Sequence, residues 1–146
     1  MTKAIYFDMD GTIADLYAVD GWLEMLEAHD PTPYAQAAPM VRMGSLARLI
    51  RALQNRGYHV GVVSWLSKSG TPDYNGQVIR AKKTWLTAQM NVTFDELVFV
   101  PYGTPKSMVV EYPDGILYDD EERNRLDWVG EAYDPEGLLE LLRALL

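Results

Sequence analysis

Ala4-Ile5-Tyr6-Phe7-Asp8-Met9-Asp10-Gly11-Thr12 is the stretch whose reading decides the fold of this chain. Its apolar opening reads as a short buried strand. Two acids and a glycine then break the run. Side chains alternate along a strand with period two, so Asp8 and Asp10 can converge on one point at its end. Gly11 permits the sharp turn that takes the chain away. One carboxylate placed there can attack phosphorus, and the pair can hold a hard cation through oxygen. The competing reading is a plain strand followed by an Asx-type turn, with Asp10-Gly11 as turn chemistry.

Outward from this stretch, strands and helices alternate. A short amphipathic helix is predicted over 21–28, with Trp22, Leu23, Met25 and Leu26 on its apolar side. Pro31 and Pro33 end it, and 31–39 reads as a proline-punctuated loop. Leu46, Leu49, Ile50 and Leu53 recur at helical spacing and predict a helix over 43–56, closed by Gly57. A second strand over 58–63 ends at Ser64, a polar loop covers 65–76 and a helix covers 77–90. A third strand spans 97–100, and a loop over 101–105 delivers Lys106 ahead of a helical turn. Ile116-Leu117-Tyr118 is the fourth strand, ending in Asp119-Asp120. A small fifth strand is expected over 129–132. Asp134-Pro135 supplies the cap and first position of a leucine-rich last helix. This alternation implies an α/β fold, a doubly wound and mainly parallel sheet in one domain over 1–146. In such a sheet ligands bind beyond the carboxyl ends of the strands, where Asp8, Ser64 and Asp119 fall.

Composition narrows the classes of function. At 146 residues the chain is long enough for one real core. A net charge of −8 argues against non-specific nucleic-acid binding, which demands clustered Lys and Arg. With no cysteine, disulfides and thiolate metal sites are excluded. No signal-peptide progression and no apolar run of about 20 residues is visible, so a cytoplasmic location without a membrane partner is expected.

Four features occur in order: Asp8-Met9-Asp10-Gly11-Thr12, a strand ending in Ser64, Lys106 before the last main strand, and Asp119-Asp120 at that strand's end. Together they resemble the haloacid dehalogenase superfamily of phosphohydrolases, over nearly the whole chain. The resemblance implies Asp8 as nucleophile and Asp10 as general acid and then base. It implies Mg2+ held by Asp8, the Asp10 backbone carbonyl and Asp119, with Asp120 beside them. Ser64 would bond a phosphoryl oxygen, and Lys106 would neutralise the nucleophile and the transferring group. Elementary chemistry agrees with that division. Phosphoryl transfer needs in-line placement and charge compensation, and four clustered acids need a cation.

Lys106 is preferred over Lys82 and Lys83, which fall inside a helix. Singly, Ser64 also reads as a turn hydroxyl, Lys106 as a surface lysine and Asp119-Asp120 as a helix cap. His29 and His59 are too separated for a zinc or histidine-nucleophile site and read as structural. Lys106-Ser107, Ile116 to Asp120, Asn124 and Trp128-Val129-Gly130 are similar to the small 5′(3′)-deoxyribonucleotidase-like members. The departure is the cap, for which only 17–39 remains, leaving the site relatively open unless a homo-oligomeric partner covers it. Tyr17, Trp22, Tyr34 and Trp65 are candidates to stack on a base, and equally candidates for packing. The expected substrate is a nucleoside monophosphate or another small phosphate ester. The alternatives are a phosphorylated nucleic-acid end, a non-catalytic phosphate-binding module and a phosphate-transferring mutase.

Overall fold

The computed structural model describes residues 3–146. In chain order the elements are β1 (Ala4–Phe7), β2 (Ala14–Asp15), α1 (Trp22–Glu27), α2 (Thr32–Gln36), β3 (Ala38–Pro39) and α3 (Met43–Asn55). They are followed by β4 (His59–Trp65), α4 (Pro72–Gln89), β5 (Glu96–Val100), β6 (Ile116–Tyr118), α5 (Glu122–Asp127), β7 (Ala132–Tyr133) and α6 (Leu138–Arg143). Single 3-10 turns lie at Leu16–Ala18 and Lys106–Met108.

Five parallel strands form the main sheet in the order β5-β4-β1-β6-β7. The chain builds outward from β1 to β4 and β5, then crosses to the other side of β1 for β6 and β7. The direction of winding therefore reverses between β1 and β6. Such a reversal opens a crevice at the carboxyl ends of the two strands. Asp8 follows β1, Asp119 follows β6, and the Asp8 N–H donates to the Tyr118 carbonyl at 2.9 Å. The fold is α/β with a doubly wound parallel sheet.

The two faces of β1 explain its uninterrupted apolar sequence. Ile5 and Phe7, with Val60 and Val62, pack against Leu46, Ile50 and Leu53 of α3, Trp85 and Leu86 of α4, and Leu138 and Leu142 of α6. Ala4 and Tyr6 face the other way, onto Leu117, Trp128 and the segment carrying Val109 and Val110. All four residues of β1 are buried, and the one polar atom among their side chains, the Tyr6 hydroxyl, is paired with Glu96 and the Tyr112 N–H. Gly57 closes α3 at φ +91°, the left-handed conformation that a helix C-terminal glycine serves.

Four local predictions need correction. The 31–39 loop contains α2, because Asp30 Oδ1 accepts the Thr32 N–H at 2.9 Å and starts a helical turn there. Helix α4 begins at Pro72 rather than 77. Thr71 caps it, its hydroxyl accepting the Tyr74 N–H, and Pro72 suits the first turn. The last helix begins at Leu138: Asp134 caps only the turn through Glu136, and Gly137 at φ +69° separates that turn from the helix. The fifth strand is Ala132–Tyr133, later than the predicted 129–132.

The segment between β2 and β3 is a covering insertion. It leaves and returns through an antiparallel pair, Ala14 opposite Pro39 and Asp15 opposite Ala38. Its own small core joins Leu16 and Tyr34 to Leu66, Tyr74 and Val78. Tyr74 donates to the Asp30 carbonyl at 3.0 Å, and the Tyr34 and Ser67 hydroxyls meet at 2.6 Å. The insertion is thus fastened to α4 and to the loop after β4. No helix among the described residues is long and apolar enough to cross a membrane.

Candidate active site

The crevice gathers acids from two strand ends. Asp8, Asp119 and Asp120 each bring a carboxylate oxygen within 4.8 Å of the others. Lys106, on the 3-10 turn before β6, lies between the strands with its Nζ 2.9 Å from Asp8 Oδ1 and 2.7 Å from Asp119 Oδ2. Asp119 is completely buried and held on every side. Its Oδ2 also accepts from Asn124 Nδ2 at 3.1 Å, its Oδ1 from the Glu121 N–H at 2.9 Å. The Thr12 hydroxyl stands between Asp8 Oδ2 at 3.1 Å and Asp120 Oδ1 at 3.2 Å, and accepts the Asp120 N–H. Gly11 makes this closeness attainable. Its φ is +85°, and a β-carbon there would collide with the Asp120 carboxylate.

Asp10 lies apart from this cluster, its Oδ2 taking the Lys82 ammonium at 2.9 Å. Lys82 is also 2.7 Å from Ser64 Oγ and 2.8 Å from the Trp65 carbonyl, and it is 0% exposed. This corrects the expectation that the helix keeps Lys82 out of the site. Tyr74, Val78, Lys82, Trp85 and Leu86 are the buried residues of α4, and their helical spacing puts the lysine on the packed stripe. Lys83, its neighbour, is exposed. The stripe was in the sequence, but a helix begun at 77 omits Tyr74, its first member. Thr12 and Asn124 are the other site residues to which sequence reasoning gave no role.

The electrostatics follow from this packing. Burial alone would raise Asp8, but Lys106 and a hydrogen bond from Asp120 outweigh it and hold the carboxyl below the ordinary carboxylate range. Burial raises Asp10 despite Lys82. Burial and the Asp8 charge push Asp119 up to about 6. Burial, the hydrogen bond to Asp8 and the neighbouring charges push Asp120 up to about 8. Burial would strip Lys106 of its proton, but the Asp8 and Asp119 charges reverse this and raise it. One deprotonated carboxylate, Asp8, therefore sits beside two acids reluctant to ionise. A hard divalent cation matches three convergent carboxylates whose repulsion a single ammonium, Lys106, offsets only in part.

Above the acids opens a cavity of about 760 Å³, lined by Asp8, Asp10, Lys106 and Asp120 on its floor. Its walls carry Tyr17, Trp22, Tyr34, Trp65 and Tyr102, with Leu16, Leu23 and Leu26 from the covering insertion. The indole of Trp65 is fixed by a 2.7 Å hydrogen bond to the Thr104 carbonyl and carries Arg123 at 5.1 Å from its ring. Tyr17 meets Trp22 edge to face at 5.0 Å and is 53% exposed. Ser64 is fully enclosed, its hydroxyl turned to Lys82. Of the two histidines, His29 stacks on Tyr74 in the cavity wall, and His59 bonds Glu96 remote from the acids.

Comparison with protein-family models and with curated protein sequences finds no match.

Proposed function

We propose that this protein is a Mg2+-dependent phosphomonoesterase of the haloacid dehalogenase type, acting through an aspartyl-phosphate on Asp8. The observation that carries this reading is the Asp8 carboxylate at the sheet's switch point. It is kept ionised by Lys106, flanked by Asp119 and Asp120, and open with Asp10 to one cavity.

In the first step an Asp8 oxygen attacks phosphorus and the ester P–O bond breaks, its electron pair leaving on the alcohol oxygen. The Asp10 proton passes to that oxygen, and burial favours Asp10 holding it beforehand. In the second step water attacks phosphorus, its proton returns to Asp10, and the bond to Asp8 breaks to release phosphate. Lys106 donates to Asp8 and Asp119, leaving one of its three protons to reach a phosphoryl oxygen. Asp8, Asp119 and Asp120, with the Asp10 carbonyl that the resemblance implies, would hold the cation, whose chemistry is to neutralise the transferring oxygens.

The aromatic walls favour a small ester whose leaving group carries a flat ring, as the base of a nucleoside monophosphate is. The cavity volume lies within the range of about 300–1,000 Å³ usual for small-molecule sites. Glu27, Glu121 and Glu122 also line it, which disfavours a nucleic-acid end with many phosphates. The test is phosphate release from 5′- and 3′-nucleotides, sugar phosphates, aryl phosphates and phosphorylated oligonucleotides, with Mg2+ and with chelator. Metal-dependent release, best from nucleotides or aryl esters, is the expected outcome. Release from none of them, by folded protein that binds Mg2+, contradicts the reading.

A further inference from the structure

We infer that Lys82 is a positioning residue that aims the Asp10 carboxyl group at the leaving oxygen, rather than a second phosphate-binding cation. The assignment rests on the phosphatase reading above. An ammonium has three protons to donate. Those of Lys82 go to Asp10 Oδ2 at 2.9 Å, Ser64 Oγ at 2.7 Å and the Trp65 carbonyl at 2.8 Å. None remains for a phosphoryl oxygen, and the residue is 0% exposed. Lys106, by contrast, has two carboxylate partners and lines the cavity. The two buried lysines thus divide the work.

Lys82 is itself held in place. Val78 and Trp85 flank it on the buried stripe of α4, and the Tyr34 ring lies 5.0 Å from its Nζ. Ser64 and the Trp65 carbonyl fix the ammonium to the end of β4, so one Asp10 oxygen is tied to a rigid strand and a long helix. A carboxyl group anchored through one oxygen presents the other in a set direction. That direction matters when the proton must meet an alkoxide as the P–O bond breaks, because a general acid acts only within hydrogen-bond reach.

The test exploits the leaving group. Benzyl phosphate expels an alkoxide that needs the Asp10 proton; 4-nitrophenyl phosphate expels a stable phenolate that does not. For each ester kcat/KM reports transfer to Asp8 alone, before the water step common to both. In Lys82→Met, kcat/KM for benzyl phosphate is expected to fall about tenfold to a hundredfold, within what a general acid supplies. With 4-nitrophenyl phosphate it should stay within about threefold, and a burst of nitrophenolate should precede a slower steady state, since Asp10 also serves the water step. An equal fall with both esters, or no fall with either, overturns the assignment while the phosphatase reading stands. Hydrolysis by the wild-type protein of neither these two esters nor any phosphomonoester of the panel above overturns that reading, and this one with it. Should Lys82→Met fold poorly, the same comparison is made in an Asp10→Asn background, where no buried anion is left unpaired. There the lysine substitution is expected to add less than about threefold to the loss, and a further tenfold fall contradicts action through Asp10.

Discussion

Asp8→Asn is expected to abolish turnover while the fold survives. The substitution exchanges one oxygen for a nitrogen of similar size, so packing around residue 8 is unchanged. On the proposed mechanism it removes the charge that attacks phosphorus, and the other carboxylates of the site are poorly suited to take over. Asp10 is tied to Lys82, Asp119 is buried beneath Lys106 and Asn124, and Asp120, pushed up to about 8, keeps its proton near neutral pH. A loss of at least about 10⁴-fold in kcat is expected, comparable to removing the nucleophile elsewhere. Thermal melting should move little. The stabilisation of the Asp8 charge by Lys106 is lost, but its repulsion of Asp119 and Asp120 goes with it, and Lys106 keeps Asp119 as its partner. Appreciable turnover by a folded Asp8→Asn protein would remove Asp8 from the mechanism.

Lys106→Met has the largest expected effect on stability. The lysine is almost wholly buried and is the cation between Asp8 and Asp119. Removing one partner of a buried ion pair costs about 3–5 kcal/mol, because the remaining charge is left uncompensated. The loss depends on pH with a definite sign. Asp119 and Asp120 have folded values of about 6 and about 8, above their unfolded value of about 3.9. Between about pH 4 and about pH 8 the folded chain therefore binds more protons than the unfolded one, and metal-free stability declines as pH rises. Without Lys106 the acids hold their protons harder still, so the decline steepens. Asp8, shifted downward, contributes above its unfolded value and loses that contribution only in acid. Lys106, shifted upward, contributes below its unfolded value of about 10.4 and is fully charged throughout this window. Urea unfolding in chelator should thus show a larger destabilisation at about pH 8 than at about pH 5. Added Mg2+ should restore part of it, since a ligand of the folded state stabilises by mass action. Equal losses at both pH values, untouched by Mg2+, would mean that the carboxylates do not act as one cluster.

How far the sequence discloses this arrangement differs from residue to residue. Asp8 and Asp119 are legible because each ends an apolar run, and a strand buried on both faces leaves no ambiguity about where it stops. Their meeting follows from parallel strands that are neighbours at the switch point. Lys82 is harder to see. A lysine in a helix is normally solvated, and although Val78, Trp85 and Leu86 flank this one within the predicted helix, its first stripe partner, Tyr74, joins only when the helix starts at Pro72. Gly76 and the polar residues around it hide that start. The insertion is obscure for another reason. Helix α2 has five residues, with Pro31 before it and Pro33 within it, too short for periodicity to register, and it forms because Asp30, Tyr34 and Tyr74 tie it to α4. Local sequence is silent about such tertiary support. The aromatic walls were visible only as a choice between stacking and packing. Trp65 and Tyr34 are largely buried in packing and also line the cavity.

The most direct test of the central claim is to look for phosphate on Asp8. The protein is mixed with Mg2+ and its best phosphomonoester, quenched in acid during turnover, digested and read by mass spectrometry. The expected result is a phosphoryl adduct on the peptide containing Asp8, removed by hydroxylamine and absent in Asp8→Asn. Sustained hydrolysis with no adduct, or with the adduct on another residue, would contradict the account.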